Sequence, residues 1–238
     1  MQSALRMIFP PQCMTCGVLV DSEFGLCSTC WRDTPFVFGL VCDKCGLPLP
    51  GEEADSSGVL CDDCLRIARP WVQGRAALLY AGNARRLVLA LKHGDRQELA
   101  RPAAEWMARV AEPILSPDML IAPVPLHWTR LARRRYNQAA LLAQRLAART
   151  GLDCEPTLLQ RKKRTKPMEG VTRDARFALL QGAITCGPQH ANLTGRDVLL
   201  VDDVMTSGAT LAASAEACIA AGARQVSVLT LARVAKDA

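Results

Sequence analysis

Two adjacent carboxylates, Asp202 and Asp203, are followed at short range by Thr206, Ser207, Gly208, Ala209 and Thr210. Small residues in such a run leave backbone N–H groups free to crowd around an anion. The Ala-rich helix expected from Leu211 to Ala221 would add the positive end of its dipole. A phosphate placed there meets amides and hydroxyls, but the two carboxylates would repel it. They suit the hydroxyls of a sugar attached to it, because an ionised carboxylate only accepts hydrogen bonds and a vicinal diol offers two donors. The plain alternative is a strand, turn and helix in which Asp203 or Thr206 caps the helix. A cap accounts for one acidic residue, not for two followed by three hydroxyls.

The whole stretch Val198 to Thr210, VLLVDDVMTSGAT, closely resembles the phosphoribosyl pyrophosphate (PRPP) signature of type I phosphoribosyltransferases. Its apolar lead, Val198 to Val201, is too short for a helix and reads as a buried parallel strand that delivers the carboxylates.

A second chemistry lies in the cysteines. Cys13, Cys16, Cys27, Cys30, Cys42, Cys45, Cys61 and Cys64 form four C-x2-C pairs separated by 10, 11 and 15 residues. Two cysteines three apart on a tight turn point at one ion, and two such turns make a tetrahedral thiolate site suited to zinc. Eight ligands predict two structural zinc ions. The first and third pairs are each followed by glycine, Gly17 and Gly46, and the second and fourth by Trp31 and Leu65. Repetition of that unit favours sequential sites over interleaved ones. Glycine there takes φ > 0 and lets following amides approach the sulfurs. Disulfides are the alternative, opposed by a reducing cytosol and the lack of an export signal. Cys154, Cys186 and Cys218 have no partner spacing and read as small core residues.

The elements that must position these groups follow from periodicity. Eight of eleven cysteines lie before residue 65, so the expected organisation is a metal-dependent module over 1–70 and an α/β domain over 71–238. From Arg75 the chain alternates short apolar runs with amphipathic segments: strands Ala76–Ala81, Met119–Val124, Asp197–Asp202 and Val226–Leu231. Helices are expected over Asn83–Lys92 capped by Asn83, Gln97–Leu115, Asn137–Thr150 and after Thr210. That alternation predicts a parallel sheet flanked by helices, with ligands at the carboxyl ends of its strands.

Two basic segments belong to the same strand ends. Trp128 to Gln138 carries four arginines within six residues, and Arg161 to Lys166 five cations in six; these nine charges exceed the net charge of +6. The surplus is therefore local, and such loops suit a polyphosphate. A solvated basic face or a nucleic-acid patch stays open as an alternative. Aromatic residues make up 5% of the chain and stand alone in the sequence, which weakens base stacking as a binding mode. The apolar stretch Leu5 to Pro11, interrupted by Arg6, is too short to span a bilayer. No membrane insertion and a cytoplasmic location are expected.

Taken together, the chain resembles the ComF family of competence-associated proteins, which join a double zinc ribbon to a type I phosphoribosyltransferase domain. Beyond the motifs above, the resemblance rests on Leu91-Lys92-His93-Gly94, Pro123-Val124-Pro125-Leu126 and Arg134-Arg135-Tyr136-Asn137-Gln138-Ala139. Family members usually have glycine at Arg135, glutamine near Met168 and asparagine near Leu179. The resemblance implies that Asp202 and Asp203 contact ribose hydroxyls and Thr206, Ser207, Gly208, Ala209 and Thr210 the 5′-phosphate. Arg134 and Arg135 would lie by the pyrophosphate, and Arg161, Lys162, Lys163 and Arg164 belong to a loop that closes over the site. Magnesium would arrive on the pyrophosphate oxygens, and any transfer would pass through an oxocarbenium-like sugar. No residue demands a general-base role, and the acceptor is open. Three functions remain: a glycosyltransferase releasing pyrophosphate, a PRPP or nucleotide sensor, and an adaptor for single-stranded DNA within the DNA-uptake machinery of natural transformation.

Overall fold

The computed structural model describes residues 10–51, 58–93, 96–127, 131, 135–162, 179–180, 182–190 and 192–235. In chain order its elements, short 3-10 turns aside, are α1 (Ser28–Arg32), α2 (Asp62–Arg66), β1 (Gly74–Leu79), α3 (Gly82–His93), α4 (Ala100–Ala111) and β2 (Leu120–Pro123). They are followed by α5 (Gln138–Thr150), β3 (Leu159–Arg161), β4 (Ile184–Cys186), β5 (Asp197–Met205), α6 (Ala209–Ala220) and β6 (Gln225–Arg233). Four strands form an all-parallel sheet in the order β1-β6-β5-β2. β3 and β4 pair antiparallel beside it, a hairpin of three-residue strands too short for periodicity to reveal.

The Val198–Val201 part of β5 is apolar without alternation because both its faces are covered. Val198 and Leu200 join a core with α6, the β3–β4 hairpin and the cysteines of the third and fourth pairs. Leu199 and Val201 face the opposite core with α3, α4 and α5. The sheet is thus the middle of three layers.

β5 runs past the two carboxylates to Met205. β6 continues to offer partners, with Asp202 opposite Thr230 and Met205 opposite Arg233. Asp202 and Asp203 therefore sit within the strand, not on an exposed exit from it. The helix expected over Gln97–Leu115 is shorter: a 3-10 turn at Gln97–Leu99 precedes α4, and another at Glu112–Ile114 follows it. Pro113 lacks the N–H that a further α-helical turn needs. Asn83 lies inside α3 and its amide donates to Cys30 O at 3.3 Å, so it ties the helix to the cysteine module and does not cap it.

The cysteine segment is sewn to the edge of β1. Val37 N donates to Ala77 O at 3.0 Å and Leu79 N to Pro35 O at 2.8 Å, while Gly74 N donates to Asp43 O at 2.8 Å. The approach is close enough to require glycine. A Cβ on Gly46 would stand 2.4 Å from Ala76 N, and one on Gly74 the same distance from Lys44 O.

Candidate functional site

The sheet brings Asp202 and Asp203 to a polar corner inside the molecule. Asp203 is buried and its carboxylate pairs with Lys92 Nζ at 3.2 Å. Asp202 Oδ1 accepts the Asp203 backbone N–H at 2.8 Å. Burial, reinforced by the neighbouring Asp203 charge, pushes Asp202 up to about 7, although Lys92 and Arg161 pull the other way. The two carboxylates are therefore unequal: Asp203 is paired with an ammonium group, whereas Asp202 titrates near neutrality.

Lys92 is the residue that motif reasoning did not place at the site. It lies in the last turn of α3, and its position is held by the segment that follows β2. Tyr136 Oη donates to Leu91 O at 2.6 Å, Gln138 Nε2 to Lys92 O at 3.4 Å, and Asn137 Nδ2 to Val124 O at 3.1 Å. Asn137 also caps α5, its side chain accepting from Ala139 N at 3.1 Å. The Arg-Tyr-Asn-Gln-Ala motif is thus a clamp between the ends of α3 and β2. Arg135 opens it at φ 67°, the left-handed region where glycine is at ease.

After Met205 the chain makes the turn that starts α6. Gly208 is the N-cap, at φ 81°, with no side-chain cap bond. Neither Asp203 nor Thr206 caps the helix, which removes the plain alternative for those residues. Asp202 and the residues from Val204 to Leu211 line a cavity of about 80 Å³. The carbonyls of the turn are tied down from behind: Arg233 Nη1 donates to Thr206 O at 2.8 Å, and Arg69 Nη1 to Ser207 O at 2.8 Å. A trans peptide group points its N–H opposite to its C=O, so the amides of Ser207 and Gly208 face away from the guanidinium groups.

The eight N-terminal cysteines gather in sequential groups, Cys13, Cys16, Cys27 and Cys30 in one and Cys42, Cys45, Cys61 and Cys64 in the other. Within each the sulfurs lie within 4.8 Å of one another. Tetrahedral coordination with arms of about 2.3 Å needs sulfurs about 3.8 Å apart. The Cys16 and Cys27 sulfurs are 3.8 Å apart and those of Cys45 and Cys61 3.7 Å. Gly17 and Gly46 take φ 77° and 67° as expected, but the amides on the sulfurs come mainly from inside the knuckles. Burial opposes ionisation of Cys13, yet bonds from the amides of Cys16, Cys27 and Thr15 bring it down to about 6. Cys42 is lowered by hydrogen bonds from Cys45 and Cys64, and Cys45 is raised by the reciprocal contacts. The second group is wholly buried, whereas Cys16 of the first is exposed.

Arg161 lies in β3, close enough for its charge to act on Asp202, and Lys162 is exposed beyond it with its backbone N–H on Ala183 O at 2.9 Å. Arg134, Lys163 and Arg164 lie outside the described residues. Cys186 and Cys218, unrelated by spacing, meet side by side, with Cys186 lowered by a hydrogen bond from Cys218. Aromatic rings that stand alone in sequence also converge. The Trp31 and Phe36 centroids are 4.5 Å apart, Phe36 and Trp106 5.3 Å, and Phe36 and Phe38 6.0 Å. Among the described residues no helix is long and apolar enough to cross a membrane.

Known proteins share these features. Residues 4–66 match the double zinc ribbon domain family and residues 136–238 the phosphoribosyl transferase domain family. The chain is 31% identical over 231 residues to DNA utilization protein YhgH of Salmonella typhi, covering 94% of this chain and 97% of that protein. It is 28% identical to competence protein F of Haemophilus influenzae, over 93% of this chain and 96% of that one. Among solved structures, TT1426 from Thermus thermophilus is similar at 17% identity and a TM-score of 0.37, covering 58% of this chain and 85% of that one. That likeness is distant and supports no further step.

Proposed function

The chain belongs to the ComF family, whose members join a double zinc ribbon to a phosphoribosyltransferase domain, and from that premise we propose that it binds PRPP. The observation that carries this reading is the turn at Thr206 to Thr210, with carbonyls held from behind and the Asp202–Asp203 pair at its rim. In this reading the amides and hydroxyls of Thr206, Ser207, Gly208, Ala209 and Thr210 hold the 5′-phosphate. Asp202 and Asp203 accept from the ribose hydroxyls. Lys92 and Arg161, whose charges act on the carboxylates, would meet the pyrophosphate, and Arg134, Arg135, Lys162, Lys163 and Arg164 are proposed to join them. Magnesium, if it accompanies the ligand, neutralises pyrophosphate oxygens.

The two thiolate groups fit zinc by donor type and by sulfur spacing, and they would act as structural staples for a segment whose described residues bury few apolar side chains besides the cysteines. Transfer and sensing would use the same PRPP site. Isothermal calorimetry with PRPP tests the binding: millimolar or weaker affinity for PRPP by the zinc-loaded chain would sink the reading. A pyrophosphate-release assay over a panel of bases then separates a transferase from a sensor.

Contact with single-stranded DNA is favoured by one feature, the aromatic cluster beside the first cysteine group. Phe38 is 74% exposed and Trp31 45%, so both offer faces to bases, each stacked base contributing about 1–3 kcal/mol. The Phe38→Ala and Trp31→Ala chains should lose oligonucleotide affinity accordingly in fluorescence anisotropy. Unchanged affinity in both would remove the aromatic cluster from DNA binding.

A further inference from the structure

The second cysteine group and the Thr206–Thr210 turn are joined by three short routes, each starting inside a C-x2-C knuckle. From the third pair, Lys44 and Trp71 exchange bonds: Trp71 Nε1 donates to Lys44 O at 2.6 Å and Lys44 Nζ to Trp71 O at 2.9 Å. Trp71 is 1% exposed. The Arg69 guanidinium lies 5.3 Å over its ring. From the fourth pair, Arg69 lies close enough to Cys64 to interact with its side chain, and the same guanidinium's Nη1 donates to Ser207 O at 2.8 Å. Asp63, between Cys61 and Cys64, has Oδ2 3.9 Å from Arg233 Nη2. Arg233 Nη1 in turn donates to Met205 O at 3.3 Å and Thr206 O at 2.8 Å.

Three consecutive carbonyls, Met205, Thr206 and Ser207, are thus oriented by two arginines. Because peptide groups are planar and trans, this turns the amides of Thr206, Ser207 and Gly208 toward the opposite side. The packing is tight. A Cβ on Gly208 would lie 2.8 Å from Arg69 Nη1 and 3.2 Å from Trp71 Cη2. The first cysteine group is tied instead to α3, through Asn83 on Cys30 O.

We propose that Arg69 and Arg233 are positioning residues that couple the second thiolate site to the anion-binding turn, so that phosphate-ester affinity depends on whether Cys42, Cys45, Cys61 and Cys64 are metal-loaded. This rests on the reading of Thr206 to Thr210 as a phosphate site. A bound ion holds the two knuckles at fixed separation. Without it Lys44, Asp63 and Cys64 are no longer fixed relative to one another, and the arginines lose the anchors that point them at the turn. Coupling of this kind is reciprocal: whatever loaded thiolates add to phosphate affinity, bound phosphate ester adds to metal affinity.

The test uses the full zinc-loaded chain with ribose 5-phosphate and pyrophosphate as probes. In competition with a chelator, saturating ribose 5-phosphate should tighten one of two zinc ions by about five- to tenfold and leave the other unchanged. In the Arg69→Gln chain, with two zinc ions retained by elemental analysis, calorimetric affinity for ribose 5-phosphate should fall by a similar factor. Pyrophosphate affinity should hold, and the zinc ion should no longer respond to the sugar phosphate. If the wild-type chain does not bind ribose 5-phosphate, the phosphate-site reading falls and takes the coupling with it. If it binds and neither zinc ion responds, the coupling is refuted while the site stands. The wild-type competition decides the matter even if the variant does not fold.

Discussion

Asp202 makes the sharpest quantitative test of sugar recognition. Its carboxyl is raised to about 7 by burial and by the Asp203 charge, whereas a charge-assisted bond from a ribose hydroxyl calls for the ionised form. Below its folded pKa the group must first release a proton. Affinity for ribose 5-phosphate should therefore rise with pH through 7 and level off above it. One pH unit corresponds to about 1.4 kcal/mol, so the ionised fraction, and the carboxylate's contribution with it, falls about tenfold between pH 8 and pH 6. The ligand's own phosphate titrates near pH 6, so the ratio of wild-type to Asp202→Asn affinity, measured by calorimetry at each pH, is the quantity to follow. A charge-assisted bond contributes about 1.5–3 kcal/mol, which sets that ratio at about 10 to 150 at pH 8. It should shrink roughly tenfold by pH 6. A ratio constant between pH 6 and 8 would refute the reasoning. The same shift fixes the sign for the ligand-free fold. The unfolded chain ionises near the ordinary carboxyl value while the folded one keeps its proton, so stability falls as pH rises from about 4 to 7 and is level above.

Elemental analysis of the reduced chain should find about two zinc ions, and the Cys13→Ser, Cys16→Ser chain should lose one and keep the other, because the groups are sequential; loss of both would mean the sites are not independent. Asn137→Ala removes both a helix cap and the bond to Val124 O; at about 1 kcal/mol for the cap, thermal unfolding should shift down by about 2–4 °C, and an unchanged midpoint would dismiss the clamp. Calorimetry on the Asp202→Asn, Asp203→Asn chain should show weakened PRPP binding with pyrophosphate binding retained or strengthened, since carboxylate charge leaves the site; equal loss of both ligands would point to misfolding.

What could be read from residue order was the chemistry that local spacing carries. Four C-x2-C pairs with glycine after alternate pairs sufficed to group the cysteines, because a knuckle is made by three or four neighbouring residues. The Asp-Asp and Thr-Ser-Gly-Ala-Thr run located the strand and the turn for the same reason. The extent of β5 was not legible. A strand continues as long as its neighbour offers partners, and that neighbour, β6, lies beyond the whole of α6 in the chain. The consequence is chemical: both carboxylates lie within the paired strand, Asp203 buried and Asp202 half-buried, and Asp202 is raised to about 7.

Lys92, Arg69 and Arg233 were missed for a related reason. Arg69 and Arg233 are single cations in otherwise ordinary stretches, Lys92 sits in a motif that names no partner for it, and single cations are normally solvated. Arg233 gave the best hint, as a charge closing an apolar strand, and it is 2% exposed in the fold. A buried guanidinium persists only where several acceptors meet it, and here they are the carbonyls of Met205 and Thr206 with Asp63 nearby. Those acceptors come from the turn and from the fourth cysteine pair, segments more than 140 residues apart in the chain. The zinc-ribbon segment is therefore built into the wall of the candidate ligand site, packed in the same core as β5 and α6. A ribbon serving only as a detachable partner-binding module would not need its third and fourth cysteine pairs buried there. Their placement makes the ribbon part of the machinery that shapes the turn.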